Sequence, residues 1–194
     1  MSRLKAPQRK DQLLAVATKI FARNGYDATT THAIAEAAGV TEPILYRHFS
    51  SKQQLFVAIT RRMSRQTIKH WKDLTSGTAD PVEQLRIIAR EFPAHLHNLT
   101  DAYHVIHGAL ATSRDRKVVN VMKEHYGLIE EYFVTIIKRG QATKQFRGNL
   151  NPRDPAWQLI HLGIGYAMIA LNLTKFDHFP VAEAIEMVIR GIKA

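Results

Sequence analysis

The chain of 194 residues contains no cysteine. Without thiols it has neither a disulfide framework nor a thiolate nucleophile, which excludes small disulfide-stabilised proteins and cysteine-based catalysis. The composition is typical of proteins kept in a reducing compartment, so we expect a cytoplasmic location.

Long apolar runs are also missing. The most apolar stretch, residues 159–173, is interrupted by His161 and Asn172, whereas a membrane-spanning helix needs about 20 apolar residues. No segment near the N-terminus has the apolar core of a signal peptide. We therefore predict a buried helix over this stretch and no membrane partner.

Sequence patterns for strands and for catalysis are absent as well. There is no convincing alternation of β-branched residues, and the Asn-Gly dipeptide at 24–25 ends the first predicted helix rather than joining two strands. We find no phosphate-binding loop, nucleophile–base pattern or paired carboxylates, so an enzyme is not predicted and no cofactor is implied. Because apolar residues make up 45% of the chain, a packed core is expected.

Positive charge is plentiful but unevenly placed. Residues 1–72 hold 13 Lys and Arg against 4 Asp and Glu, a net charge of +9, whereas residues 73–194 hold 14 against 13, a net charge of +1. A basic excess confined to one third of a chain indicates a polyanionic partner there.

Apolar periodicity and capping residues predict an all-α fold of about nine helices. The predicted helices lie at about residues 8–23, 31–38, 42–48, 51–74, 80–99, 101–112, 114–139, 151–173 and 180–192. We predict an N-terminal helix-turn-helix domain over residues 1–52 and a larger helical domain over residues 53–194. The fourth helix, about 52–74, links them.

The second and third helices have the features of a helix-turn-helix. Gly39 provides the permissive residue of the tight turn, and small residues such as Ala35 and Ala38 let the two helices approach. The third helix leaves polar side chains and a ring exposed, a set that suits a reader of the DNA major groove. This exposed set is Thr41, Glu42, Pro43, Tyr46, Arg47 and His48. The alternative is a helical corner in an ordinary bundle.

Several spaced segments together resemble the TetR family of transcriptional regulators. They are Gly-Tyr-Asp-Ala-Thr-Thr-Thr at 25–31, Ile-Ala-Glu-Ala-Ala-Gly-Val at 34–40 and Leu-Tyr-Arg-His-Phe at 45–49, followed by Lys52 and Leu55-Phe56. The resemblance covers about residues 10–57. Beyond it, the chain is similar to the family only in length and helix count.

The resemblance implies a role for each matching position. Thr31 and Lys52 would bind phosphates, and Tyr46 and His48 would contact the DNA backbone. Thr41, Pro43 and Arg47 would face base edges. Glu42 departs from the family pattern, in which a basic or small residue is common at this position. A carboxylate beside phosphate is repelled. Glu42 either accepts a hydrogen bond from a cytosine amino group or points away from the DNA.

Two functions are predicted for the larger domain, and the first is dimerisation. A short recognition helix covers few base pairs, so useful specificity needs two copies on a palindrome. Apolar stripes on the last two helices would form a four-helix bundle between two subunits, as the resemblance also implies. These residues are Leu159, Leu162, Gly163, Tyr166, Ile169, Ile185, Val188, Ile189 and Ile192. The alternative is that the stripes face their own core.

The second function is binding a small-molecule effector. Aromatic, histidine and methionine residues on helices four to seven are candidates for a pocket wall, although each is also explained by core packing. They are Trp71, Phe92, His95, Tyr103, His104, His107, Met122, Tyr126 and Tyr132. His104 and His107 have a spacing that suits a metal, but no acid or cysteine completes the set, so no metal is predicted.

The sequence therefore predicts a homodimeric repressor that is released from a palindromic operator in double-stranded DNA by a small apolar or amphipathic ligand. The alternative is an architectural or activating DNA-binding protein without a ligand.

Overall fold

The computed structural model describes residues 5–173 and 180–194, apart from the side chain of Thr112. Within these ranges the chain forms nine helices and no strand, which confirms the predicted all-α fold. The helices are α1 (Ala6–Asn24), α2 (Thr31–Ala37), α3 (Glu42–His48), α4 (Lys52–Leu74), α5 (Pro81–Asn98), α6 (Thr100–Thr112), α7 (Arg116–Ala142), α8 (Arg153–Asn172) and α9 (Val181–Ile192).

The helices begin where the sequence supplies capping groups. The Thr30 hydroxyl accepts a hydrogen bond from the Ala33 N–H at 3.1 Å and starts α2. The Asp80 carboxylate accepts one from the Val82 N–H at 2.9 Å and starts α5, with proline at the first helical position. Such bonds satisfy backbone donors that have no partner inside the helix.

The chain divides into two compact units. The first joins residues up to Met63 with Thr100–His125, so it holds α1 to α3, the first half of α4, α6 and the start of α7. Within it α1 packs against α2 and α6, and α2 packs against α3. The fully buried side chains at its centre include Leu13, Phe21, Ile34, Leu45 and Phe56.

The second unit consists of Ser64–Leu99 and Tyr126–Ala194. In it α9 packs against both α5 and α8. The Arg86 guanidinium donates two hydrogen bonds to the Glu186 carboxylate, at 2.9 and 2.8 Å, and so ties α5 to α9. These bonds hold the pKa of Glu186 down at about 2.

The helix α4 belongs to both units, because it begins at Lys52 in the first and ends at Leu74 in the second. The predicted boundary between residues 52 and 53 falls within the first unit. Compact packing does not by itself delimit a DNA-binding domain, so the domain assignment stays a prediction. In the described ranges, no helix combines the length and apolar character required to cross a bilayer.

Candidate nucleic-acid interface

The turn between α2 and α3 depends on Gly39. This residue has φ +65°, in the left-handed region that favours glycine. Its N–H donates to the Glu36 carbonyl at 2.9 Å, and the next N–H, of Val40, donates to the Ala35 carbonyl at 3.0 Å. These bonds satisfy the last carbonyls of α2 and set the direction in which α3 starts.

One side of the helix α3 is buried in the core, and the other side is exposed to solvent. Leu45 is completely buried, and Phe49, which ends the helix, is 3% exposed. Pro43, Tyr46 and Arg47 are exposed, as is Thr41 just before the helix, while Glu42 and His48 are partly buried. The predicted set thus lies on or beside one short helix whose hydrophobic side is held by the core. The Thr41 hydroxyl makes no capping hydrogen bond, so it stays on the same exposed surface.

A small hydrogen-bonded cluster joins α2 to α3. The Thr31 hydroxyl donates to Glu42 Oε1 at 2.7 Å and lies 3.0 Å from the Tyr46 hydroxyl oxygen. Because Thr31 has one hydroxyl hydrogen and Glu42 receives it, the Tyr46 hydroxyl donates to Thr31. The sequence left the direction of Glu42 open, and here its carboxylate turns toward the first residue of α2.

The side-chain ammonium of Lys52 forms its hydrogen bonds with the backbone of the protein itself. Its Nζ donates to the carbonyl oxygens of Tyr26, Asp27 and Thr29 at 2.9, 3.1 and 3.0 Å. The ammonium also lies 4.7 Å from the centroid of the Tyr26 ring. An ammonium has three hydrogens, so all its donors are used in fastening the loop before α2 to α4. The predicted phosphate contact by Lys52 stays a prediction, but the sequence did not reveal this fastening role.

The arrangement matches a known family of regulators. Residues 13–59 match the model of the bacterial regulatory proteins of the tetR family. This segment is thus similar to the DNA-binding part of the TetR family, as the sequence motifs predict. The expectation drawn from the motif of α2 and α3 is confirmed to this extent, and a DNA-binding transcriptional regulator is the function that the match supports.

Similarity to individual proteins extends beyond this segment. The chain is 32% identical over 105 residues to the transcriptional activator FasR of Mycolicibacterium smegmatis, covering 54% of this chain and about half, 48%, of FasR. It is 26% identical over 164 residues to the transcriptional repressor KstR2 of Mycobacterium tuberculosis, covering 77% and 78% of the two chains. The fold resembles that of FadR from Bacillus subtilis, solved in complex with stearoyl-CoA, with a TM-score of 0.78, 19% identity and coverage of 94% and 98%.

The predicted effector residues are divided between the two units. Trp71, Phe92, His95, Tyr126 and Tyr132 belong to the second unit, and Tyr103, His104, His107 and Met122 belong to the first. Most of them are buried, which core packing also explains. Their role in ligand binding stays a prediction.

In the second unit, His95 forms part of an aromatic cluster on α4 and α5. Its ring stacks on that of His70 with centroids 4.7 Å apart, and its Nε2 lies 3.1 Å from the Thr67 hydroxyl. The ring centroid of Trp71 lies 6.4 Å from that of His95. Burial, helped by the nearby His70, lowers the pKa of His95 to about 4. His95 is therefore a neutral hydrogen-bonding group at neutral pH.

In the first unit, His107 is 7% exposed and packs edge-on against Tyr103, with centroids 5.7 Å apart. Burial and the neighbouring His104 lower the pKa of His107 to about 4. No group of three His, Asp or Glu side chains in the described ranges is placed to hold a metal ion. The pair His104 and His107 thus gains no third ligand from the described chain.

The second unit also contains a cavity of about 650 Å³ that is open to solvent and that sequence reasoning missed. It lies among the end of α4, the loop that follows and the middle of α7, and Tyr132 is the sole predicted effector candidate on its wall. The local signal that could have indicated it is the loop of small residues at 75–79, which directly follows the part of α4 that carries Lys72.

The predicted dimer residues separate into two groups. Leu159, Ile185, Ile189 and Ile192 are at most 7% exposed and lie within the core of their own subunit. Leu162, Gly163, Tyr166, Ile169 and Val188 are partly exposed. Met168 of α8 and Met187 of α9, which the periodicity did not single out, are 44% and 73% exposed. The alternative that the stripes face their own core thus describes the first group.

Proposed function

We propose that the protein is a homodimeric repressor that binds a palindromic operator and leaves it when a small apolar or amphipathic ligand binds to the second unit. The observation that carries this proposal is the anchoring of α3. Its apolar residue Leu45 is fully buried while Arg47 and Pro43 are exposed. A rigid helix that presents a guanidinium and small side chains fits the major groove.

Base recognition would rest mainly on Arg47. A guanidinium can donate two hydrogen bonds to the O6 and N7 atoms of guanine, the commonest specific contact in protein–DNA complexes. Thr41 and Pro43 at the start of α3 would contact neighbouring base edges, and His48 would contact the backbone. Hydroxyls such as those of Thr31 and Tyr46 would fix the register by binding phosphates.

Dimerisation would use the exposed apolar residues of α8 and α9. Met168 and Met187 are large and exposed, and Val188 adds a partly exposed neighbour on α9. Exposed apolar residues that recur along two packed helices favour a helical partner surface. A second copy of this chain supplies such a surface and pairs two copies of α3 for a palindrome.

The ligand class is supported by the relatives. The KstR2 structure from Mycobacterium tuberculosis is described as that of a ketosteroid transcriptional regulator, and the FadR structure holds stearoyl-CoA. Steroids and acyl chains are apolar molecules with polar ends. Since α4 runs from the first unit into the second, a ligand that prefers one position of α4 would shift the population of DNA-binding dimers.

The proposal places this protein among regulators rather than enzymes. Its relatives are named as transcriptional regulators, which supports a non-catalytic role. A regulator of transcription acts where the DNA is, so we also propose a cytoplasmic location.

The proposal is tested by selecting bound sequences from a random pool of double-stranded DNA. A homodimer is expected to enrich a palindrome of two half-sites about one helical turn apart or a multiple of it. An architectural protein would enrich no consensus and would bind all sequences with a steep dependence on salt. That result would overturn the proposal.

One observation favours an activator as a second candidate, because FasR, at 32% identity, is named an activator. Both functions use the same DNA-binding motif. A reporter gene placed behind the selected site, with and without the protein, distinguishes them. Lower expression in its presence supports the repressor, and higher expression supports the activator.

A further inference from the structure

The wall of the cavity in the second unit has an apolar part and a charged part. Ile68 of α4 together with Leu128 and Ile136 of α7 supply an apolar part. Lys72, Arg139 and Glu131 supply charge, with one positive charge in excess. Its volume of about 650 Å³ lies within the range of about 300–1,000 Å³ that is usual for small-molecule sites.

Arg139 is held in place without being neutralised. Its guanidinium donates to the side-chain oxygen of Gln84, and the Gln84 amide nitrogen donates to the Thr78 carbonyl at 2.7 Å. Gln84 is only 7% exposed, so this amide forms a fixed support between α7 and the loop after α4. No carboxylate among the described residues forms an ion pair with Arg139.

Lys72 is the second cation on the wall, and in the described ranges it too has no ion pair. The adjacent Asp73 pairs with Lys69 instead. Two cations without acidic partners, beside apolar side chains, form a site that complements an anion attached to an apolar body.

We propose that this cavity binds amphipathic anions, with the carboxylate or phosphate held by Lys72 and Arg139 and the apolar body against Ile68, Leu128 and Ile136. As an effector site, this inference rests on the proposed regulatory function. Three of the wall residues, Ile68, Lys72 and Thr75, lie on or directly after the last turns of α4. Occupancy of the cavity therefore acts on the helix that continues into the first unit.

The test compares two dyes that differ in charge. 1-Anilinonaphthalene-8-sulfonate is anionic, and N-phenyl-1-naphthylamine is the same ring system without the sulfonate. We expect Lys72→Gln and Arg139→Gln each to weaken binding of the anionic dye about three- to tenfold and to leave the neutral dye within about twofold. Lys138→Gln, which removes an exposed cation from the same helix but outside the cavity, serves as the control and is expected to change neither.

A further variant is expected to change the affinity for the anionic dye in the opposite direction, which a loss of folding would not do. Glu131→Gln removes the acidic group of the wall and is expected to tighten binding of the anionic dye severalfold. Decanoate and decyl phosphate distinguish the two anionic groups by their power to displace the dye, with decanol as the uncharged control. Equal displacement by decanol, or anionic-dye binding that is unchanged in the Lys72, Arg139 and Glu131 variants, would overturn the proposal.

Binding to DNA is measured on the same samples. If the Lys72 and Arg139 variants select the same palindrome as the wild-type protein but dye binding ignores charge, the cavity proposal is wrong and the regulatory function stands. If dye binding follows charge but no DNA sequence is selected, the anion site stands and the regulatory function is wrong.

Discussion

Glu42 places a carboxylate on the side of the helix-turn-helix that is proposed to approach phosphates. It receives the Thr31 hydroxyl hydrogen at 2.7 Å, and Thr31 in turn receives that of Tyr46. Of the two hydroxyls assigned to phosphate binding, that of Thr31 is thus directed toward Glu42 and that of Tyr46 toward Thr31. The carboxylate both orients them and opposes the approach of a polyanion.

We expect Glu42→Gln to raise the affinity for DNA about three- to tenfold at low salt, because the amide removes the repulsion and still accepts a hydrogen bond from Thr31. Fluorescence anisotropy with operator and with unrelated DNA measures the effect, and Glu36→Gln, an exposed change on α2, is the control. Weaker binding would show that Glu42 contacts a base, as the cytosine alternative requires.

Lys52 is expected to contribute more to stability than a surface lysine does. Its Nζ holds three backbone carbonyls. A buried hydrogen bond from a charged group contributes about 1.5–3 kcal/mol, and water screening reduces the contribution of these partly exposed ones. We expect Lys52→Met to lower the free energy of unfolding by about 2–3 kcal/mol, measured with urea, whereas Lys19→Met on the exposed face of α1 changes it little. Unchanged stability with reduced DNA affinity would instead favour a phosphate contact.

At the scale of the helix, α7 offers a matched pair of glycines. A Cβ at Gly140 would overlap the buried ring of Phe146, whereas a Cβ at Gly127 meets no atom within 4 Å. We expect Gly140→Ala to lower the free energy of unfolding by about 1–3 kcal/mol through overpacking. Gly127→Ala should raise it by about 0.5–1 kcal/mol, as alanine does in an open helix position. Thermal unfolding monitored by circular dichroism measures both, and a stabilising Gly140→Ala would contradict the packing described here.

Helix positions were predictable because they depend on neighbours in sequence. Caps such as Thr30 and Asp80 and the glycine of the turn act within four residues, so the predicted ends of the helices lie within about three residues of the observed ones. The exposed face of α3 followed from periodicity alone. The site partners of Lys52 lie 23 to 26 residues away, and no local pattern encodes such a contact.

The apolar stripes of α8 and α9 also show that a local sequence pattern does not reveal which distant residues it contacts. Periodicity identified Ile185, Ile189 and Val188 as apolar positions of α9, but it does not distinguish a helix face that packs inside a subunit from one that packs outside. Ile185 and Ile189 are buried within the unit, whereas Met187 is exposed. The cavity was missed for a similar reason, since its walls come from residues 68 to 139 and meet through folding.

Dimerisation of the protein is tested by a substitution of Met187. A glutamate at this exposed position disturbs no core contact, but in a dimer interface it would bury a charge without a partner. We expect Met187→Glu to convert the dimer to monomers in sedimentation velocity and to weaken operator binding. Leu110→Glu, an equivalent change at a residue of α6 that is 50% exposed, is expected to leave both unchanged. A Met187→Glu protein that remains dimeric would exclude this surface as the interface.

Recognition of base sequence by α3 is measured by the ratio of the affinities for the selected site and for a scrambled site. For Arg47→Ala we expect this ratio to fall by about tenfold or more, since a bidentate contact to guanine contributes about 1–3 kcal/mol of discrimination per half-site. The free energy of unfolding should be unchanged because the side chain is exposed. Arg65→Ala, an exposed change on α4, should preserve the ratio. An Arg47→Ala protein that discriminates as well as the wild type would show that α3 does not recognise bases through Arg47.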